Sequence, residues 1–275
     1  MEIITSRTNE KIRLIRLLQE QRKIRERERL FVVEGTRLVE EAALEGTKAR
    51  MILHDGTLGP RDRSAVNRLA AAGGEVLEAA PEILRACSDT AAPAGLLAVL
   101  EWPELPPVEP LEWVVIADGI ANPGNLGSLL RAADAFGVQM VIMAPGCVDA
   151  FNPKVVRGGM GAHLRLPMRM LDWRGIGALL GGFHVWLAEA REGQTVETVD
   201  WSGRTALILG GEAAGPGDSA RALAAGSVHI PMRGKVESLN AAVAGGILLY
   251  EISRQRISST KPAPAGVGRG TRRKI

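Results

Sequence analysis

Continuous apolar runs alternate with amphipathic stretches through the second half of the chain and set its element order. Trp113-Val114-Val115-Ile116-Ala117 and Thr205-Ala206-Leu207-Ile208-Leu209 lack the polar alternation of a half-exposed strand, so they read as parallel strands covered on both faces. Further strands are expected over 140–144, 183–188 and 228–231. Helices fall between them, over 125–136, near 153–160, and as one long helix over 236–256. Upstream, the pattern predicts helices over 9–29, 34–44 and 62–72, with strands over 31–33, 50–54, 75–78 and 95–100. Alternating elements of this kind make an α/β chain in two units. The stretch 101–110, Glu101-Trp102-Pro103-Glu104-Leu105-Pro106-Pro107-Val108-Glu109-Pro110, favours an extended, semi-rigid connector. The expected organisation is a small α/β domain over 1–100, a Pro-rich linker over 101–110, a larger domain over 111–257, and a basic, mobile tail over 258–275. No internal repeat is visible.

Composition adds bounds. With 275 residues, 46% of them hydrophobic, the chain can bury a real core. Its longest apolar stretch, 241–250, is about half of what a membrane-spanning helix needs, and no apolar signal block opens the sequence. A soluble, cytoplasmic protein without membrane attachment is expected. Cys87 and Cys147 form no CxxC pattern, and His54, His163, His184 and His229 are scattered, so reduced, inert thiols and no metal site are expected.

The net charge is only +3, but positive residues cluster. One cluster holds Arg13, Arg16, Arg22, Lys23, Arg25, Arg27 and Arg29; the other holds Arg254, Arg256, Lys261, Arg269, Arg272, Arg273 and Lys274. Such clusters neutralise nucleic-acid phosphates. Glu20, Glu26 and Glu28 interleave with the first cluster at helical spacing, which equally suits a solvated helix face.

The candidate chemistry lies in turns that follow the apolar runs. The first runs from Asp118 through Asn122-Pro123-Gly124-Asn125-Leu126-Gly127 to Arg131; the second is Gly210-Gly211-Glu212-Ala213-Ala214-Gly215-Pro216-Gly217. Ile230-Pro231-Met232 follows, and Ser238-Leu239-Asn240 opens the last helix. Polar groups would therefore gather at strand ends, where open α/β sheets bind ligands. The second turn departs from the dinucleotide pattern at its middle glycine, and Glu212 there would repel a pyrophosphate, which argues against a nicotinamide oxidoreductase. A phosphate-free donor with a positive centre, S-adenosylmethionine, satisfies the constraint. The acidic-x-Gly-x-Gly pattern of the commonest methyltransferases is also missing, because Asp118-Gly119-Ile120-Ala121-Asn122 lacks the second glycine. Singly, each residue has a plainer role: Arg131 pairing Asp134, Asn125 capping a helix, Glu212 tying a turn, Ser238 or Asn240 binding local backbone.

Taken together they carry a resemblance. Asn125-Leu126-Gly127-Ser128-Leu129-Leu130-Arg131 is similar to the first motif of the SpoU/TrmH family of RNA ribose 2'-O-methyltransferases, in the SPOUT superfamily. Leu209 to Gly215 resembles the second motif, and Ile230-Pro231-Met232 with Val236 to Ala244 the third. Asn152 to Ala162, Phe31-Val32-Val33-Glu34-Gly35 and Pro93 to Val99 also look like family segments. The match covers nearly all the chain except the basic tail.

The resemblance implies a C-terminal SPOUT methyltransferase domain with a parallel sheet tied in a deep trefoil knot, and a small N-terminal α/β domain of the ribosomal-protein L30e-like type that grips RNA. It implies S-adenosylmethionine as cofactor and a homodimer. By the same carry-over, Arg131 meets the target phosphate and ribose, and Asn125, Glu212, Ser238 and Asn240 complete the catalytic pocket. Gly210, Ile230 and Leu239 would cradle the cofactor's adenine and ribose, with Met232 lining the slot; no metal is required. An arginine keeps its proton at any ordinary pH, so stabilising a developing alkoxide is its physically sound role. Residues 239–252 are apolar almost all round, so that helix must bury two faces, and Ala244, Gly245 and Gly246 would allow a partner helix close. Large-subunit rRNA is the expected substrate, ahead of tRNA; housekeeping and antibiotic-resistance roles both stay open, as does a non-catalytic RNA-binding factor. Trp173, Trp186 and Trp201 read as packing residues.

Overall fold

The computed structural model describes residues 3–90, 93–211 and 215–260. The first unit runs α1 (Glu10–Glu20), α2 (Arg22–Glu28), β1 (Leu30–Glu34), α3 (Thr36–Leu44), β2 (Ala49–His54), α4 (Pro60–Ala71), β3 (Glu75–Glu78), α5 (Pro81–Ala86) and β4 (Leu96–Glu101). The second runs β5 (Trp113–Asp118), α6 (Pro123–Ala135), β6 (Met140–Met143), α7 (Pro153–Gly159), β7 (Met168–Met170), α8 (Trp173–Leu179) and β8 (His184–Ala188). It finishes with β9 (Gln194–Thr195), β10 (Thr205–Gly210), α9 (Asp218–Leu223), β11 (Gly226–His229) and α10 (Ala241–Thr260).

Two sheets result. The first is mixed, in the order β1-β4-β2-β3. The second has seven strands in the order β7-β6-β5-β10-β8-β11-β9, each neighbouring pair parallel. The continuous apolar runs work as their pattern requires. Val115, Ala117, Leu207 and Leu209 pack on the side of α6 and α10, while Val114, Ile116, Ala206 and Ile208 pack on the side of α8 and α9. Both central strands are thus covered on both faces, and functional groups can gather only at their ends.

Two expected helices differ. The helix over 9–29 is two helices broken at Gln21, whose backbone is extended, and Arg29 closes α2 in the left-handed region. The break turns Arg25 inward, where its side chain is 3% exposed and pairs with the equally buried Asp149 at 2.6 Å. Arg25 is therefore structural, not part of a nucleic-acid face. Arg16, Arg22 and Arg27 pair with Glu20, Glu26 and Glu28, as the interleaved charges suggested. The long helix over 236–256 starts five residues later, at Ala241, because Asn240 Oδ1 accepts from Ala242 N (3.0 Å) and Val243 N (3.2 Å) and so caps it. It runs on to Thr260, which takes three residues from the expected tail; the rest of that tail, 261–275, lies outside the described residues. The short strands β7 and β9 and the helix α5 carry too few residues for a period to show in the sequence.

The stretch after β4 is not a free spacer. Trp102 stacks on Phe151 at 4.1 Å, under the Arg29 guanidinium, and Phe151 also meets Phe31 of β1 at 5.1 Å. Arg165 bridges the units as well, reaching Asp134 at 2.9 Å and Glu41 at 3.2 Å. His163 is buried in this contact with its Nε2 2.7 Å from Ala150 O, and burial pushes its imidazole down to about 4 from an ordinary 6.5. Between those values the unfolded chain takes up a proton that the folded chain refuses. Stability is expected to fall as pH drops from 6.5 to 4, by up to roughly 3 kcal/mol at ~1.4 kcal/mol per pKa unit. Urea titrations across that range check it: the slope should flatten in His163→Asn.

Candidate functional site

The carboxyl ends of β10, β8 and β11 converge on one cavity of about 290 Å³. Of the residues singled out in the sequence, Gly210, Ile230, Met232, Ser238 and Leu239 all line it. Leu209, Ala244 and Leu248 add apolar wall from β10 and α10. Its glycines are spatial requirements. A Cβ at Gly210 would lie 2.5 Å from Pro216 N, and one at Gly211 would lie 2.3 Å from Gly119 O. The chain leaving β10 therefore folds over its own loop and crosses hard against the loop leaving β5. The buried Asp118 carboxylate, at the end of β5, ties the two together by accepting the Gly217 N–H at 2.8 Å.

Local structure frees the asparagines for this place. Asn122, not Asn125, caps α6, accepting from Gly124 N at 2.8 Å and Asn125 N at 3.2 Å. Asn125 Oδ1 instead accepts from Asn240 Nδ2 at 3.0 Å, 115 positions away in sequence. This clasp joins the amino ends of α6 and α10, where the helix dipoles favour a negatively charged ligand group. Asn240 thus both caps α10 and holds Asn125.

Arg131 stands apart. It is six residues beyond Asn125, roughly 9 Å along the helix axis at 1.5 Å per residue, and it does not line the cavity. Its side chain is on the exposed face of α6 with Ser128. The plainer pairing with Asp134 is not made, because Arg165 takes that carboxylate. Among the described residues Arg131 has no ion pair. Glu212 lies outside the described residues; the loop that carries it is closed by a bridge between Gly211 and Gly215.

The remaining chemistry is quiet. Burial pushes the Cys87 thiol up to about 11 and raises Cys147, so neither is a thiolate at neutral pH. No cluster of metal-ligating side chains occurs among the described residues, and no helix among them is long and apolar enough to cross a membrane. Sequence reasoning missed Glu189, which also lines the cavity. Its signal was available, since it is the residue directly after a predicted strand.

Comparison with known proteins gives this site its context. Residues 112–250 match the model of the SpoU rRNA Methylase family, and residues 9–98 match an MRM3-like substrate binding domain. The chain is 30% identical over 255 residues to the Bacillus subtilis 23S rRNA (guanosine(2553)-2'-O)-methyltransferase RlmP, covering 92% of this chain and 99% of that protein. It is 34% identical over 243 residues to the Streptomyces viridochromogenes 23S rRNA (uridine(2479)-2'-O)-methyltransferase, covering 83% and 84% of the two chains. The crystal structure of the SpoU methyltransferase AviRb from S. viridochromogenes, in complex with AdoMet, superposes with a TM-score of 0.82 at 31% identity over 91% of this chain and 99% of that one. An rRNA methyltransferase from Sinorhizobium meliloti superposes equally well, with a TM-score of 0.82 at 28% identity over 92% and 97% of the chains. With its second and third motifs gathered on one cavity and both its units matched, the chain belongs to the SpoU rRNA methylase family.

Proposed function

We propose that this protein is a cytoplasmic enzyme that transfers a methyl group from S-adenosylmethionine to a ribose 2'-hydroxyl of structured RNA, with 23S rRNA as substrate. The observation that carries the reading is the convergence of the second and third motifs on one cavity beside the Asn125–Asn240 clasp. The cavity fits the cofactor by its chemistry. Main chain at tight glycines forms its wall, and among its described lining residues there is no lysine or arginine to select a pyrophosphate. Gly210, Ile230 and Leu239 would hold the nucleoside end, with Met232 along the slot. When bound, the cofactor supplies an electrophilic methyl on a sulfonium centre.

The protein's own groups position and stabilise. Ser238, Asn240 and Asn125 orient the ribose at the amino ends of α6 and α10, and Glu212, outside the described residues, belongs to the same catalytic set by the family resemblance. The Arg131 guanidinium, uncommitted to any carboxylate among the described residues, holds the phosphodiester and stabilises the oxyanion as the hydroxyl passes its proton to a phosphate oxygen or a water. Positioning of the hydroxyl against the methyl supplies much of the rate. The close crossing of Gly211 on Gly119 supports the knotted threading that the family resemblance implies.

The reading includes a homodimer. Val243, Ile247 and Tyr250 form one stripe of α10 and are 52%, 41% and 56% exposed. A stripe of three large apolar residues on a helix whose other faces are buried suits a second copy of the same helix. Gly246 opens onto this face, whereas Gly245 faces inward, its Cβ position 2.9 Å from Leu129 Cδ1, so only one of the two glycines is left for a partner. Ile247→Glu is expected to convert a dimer into a monomer by light scattering, with loss of methyl transfer. Calorimetry tests the cofactor: S-adenosylmethionine should bind and NADH should not.

A further inference from the structure

Glu189 is the one charged residue among the described residues that line the cofactor cavity. It follows the last residue of β8, and its backbone N–H donates to Val228 O at 2.9 Å, so the sheet fixes its place. Its side chain is 12% exposed, and Oε1 accepts from the guanidinium of Arg221 on α9. The described residues give Oε2 no hydrogen-bond partner, and it is not among the buried orphan atoms, so it is open to a ligand.

An ionised carboxylate only accepts hydrogen bonds, so its partner must be a donor: a hydroxyl, an amine or a cation. The strand order separates these. β8 is two strands from β5, with β10 between, which places Glu189 roughly 10 Å from the β5 end at ~4.8 Å per strand. The Asn125–Asn240 clasp, where the methyl must be delivered, starts from the β5 side. Glu189 therefore meets the nucleoside end of the cofactor, away from the sulfonium. At the carboxyl end of a parallel strand, an acidic side chain is well placed to accept from a ribose hydroxyl.

We propose that Glu189, oriented by Arg221, accepts hydrogen bonds from the vicinal ribose hydroxyls of the bound cofactor and makes the cavity selective for a ribonucleoside. The proposal rests on the cofactor reading above. A carboxylate–hydroxyl bond of this kind is worth roughly 10- to 100-fold in affinity.

Calorimetry on the full chain with S-adenosylmethionine, S-adenosylhomocysteine and the 2'-deoxy and 3'-deoxy analogues of the latter tests it. Wild type should prefer the ribonucleoside over at least one deoxy analogue by roughly 10- to 100-fold. In Glu189→Ala that ratio should collapse towards one, with S-adenosylmethionine and S-adenosylhomocysteine weakened in parallel and the thermal midpoint unchanged. Arg221→Ala, which leaves the cavity lining intact, should reduce the ratio part of the way and serves if Glu189→Ala does not fold. A ratio preserved in either variant would overturn the proposal, as would a loss confined to S-adenosylmethionine, which would place the carboxylate at the sulfonium. Wild type binding neither S-adenosylmethionine nor S-adenosylhomocysteine would instead overturn the cofactor reading, and this inference with it.

Discussion

Arg131→Ala is expected to lower methyl transfer to RNA by about 100- to 1,000-fold, the usual cost of removing one group that stabilises an oxyanion, while S-adenosylmethionine affinity stays within about twofold. Arg131 is exposed, lies off the cofactor cavity and leaves Asp134 to Arg165, so the fold makes no ion-pair use of its charge among the described residues. A guanidinium kept free in this way stabilises charge that appears only on the RNA. Arg131→Lys should recover part of the rate, because an ammonium keeps the charge but loses the planar fork that matches a phosphate. Single-turnover rates and calorimetry on the same preparations separate the two effects. A variant with a weakened cofactor and an unchanged rate would contradict the assignment.

The largest stability effect is expected from Asp149→Ala. Removing this carboxylate leaves the Arg25 guanidinium buried without its counter-ion, and it also removes the Oδ1 acceptor of Phe151 N at 3.0 Å. Arg25 would keep only its bonds to the Leu18 and Gln19 carbonyls, at 2.5 and 3.2 Å. Breaking a buried pair from one side typically costs about 3–5 kcal/mol. The double variant Arg25→Met, Asp149→Leu should regain most of it, since an apolar pair of similar size leaves no stranded charge. Urea unfolding of the three variants measures both. Because the pair ties α2 to the loop before α7, Asp149→Ala should also loosen the N-terminal unit and weaken RNA binding more than cofactor binding.

Much of this was legible in the chain because it is local. The runs 113–117 and 205–209 announce strands covered on both faces, and the turns after them carry the cavity glycines in sequence order. Asn240 reads in the sequence as a local backbone binder, but the helix it caps is expected from 236 and begins at Ala241. Long-range pairing left no such trace. Nothing near Arg25 in sequence indicates that it is spent on Asp149, 124 residues away, so a helix with one buried arginine reads as a uniformly basic face. Asn125 looked like a cap because the true cap, Asn122, has the same chemistry three residues earlier. Arg131 and Asp134 sit at helical pairing distance, and only the fold shows Arg165 arriving to take the acid. Glu189 belongs to no motif; its meaning comes from the cavity on which it opens.

The most direct test is a nucleotide-resolution map of ribose methylation in RNA from cells with and without this gene. The account predicts that one 2'-O-methyl nucleotide in 23S rRNA disappears with the gene and returns with wild-type protein but not with Arg131→Ala. An unchanged 23S rRNA map, or a loss confined to tRNA, would contradict it.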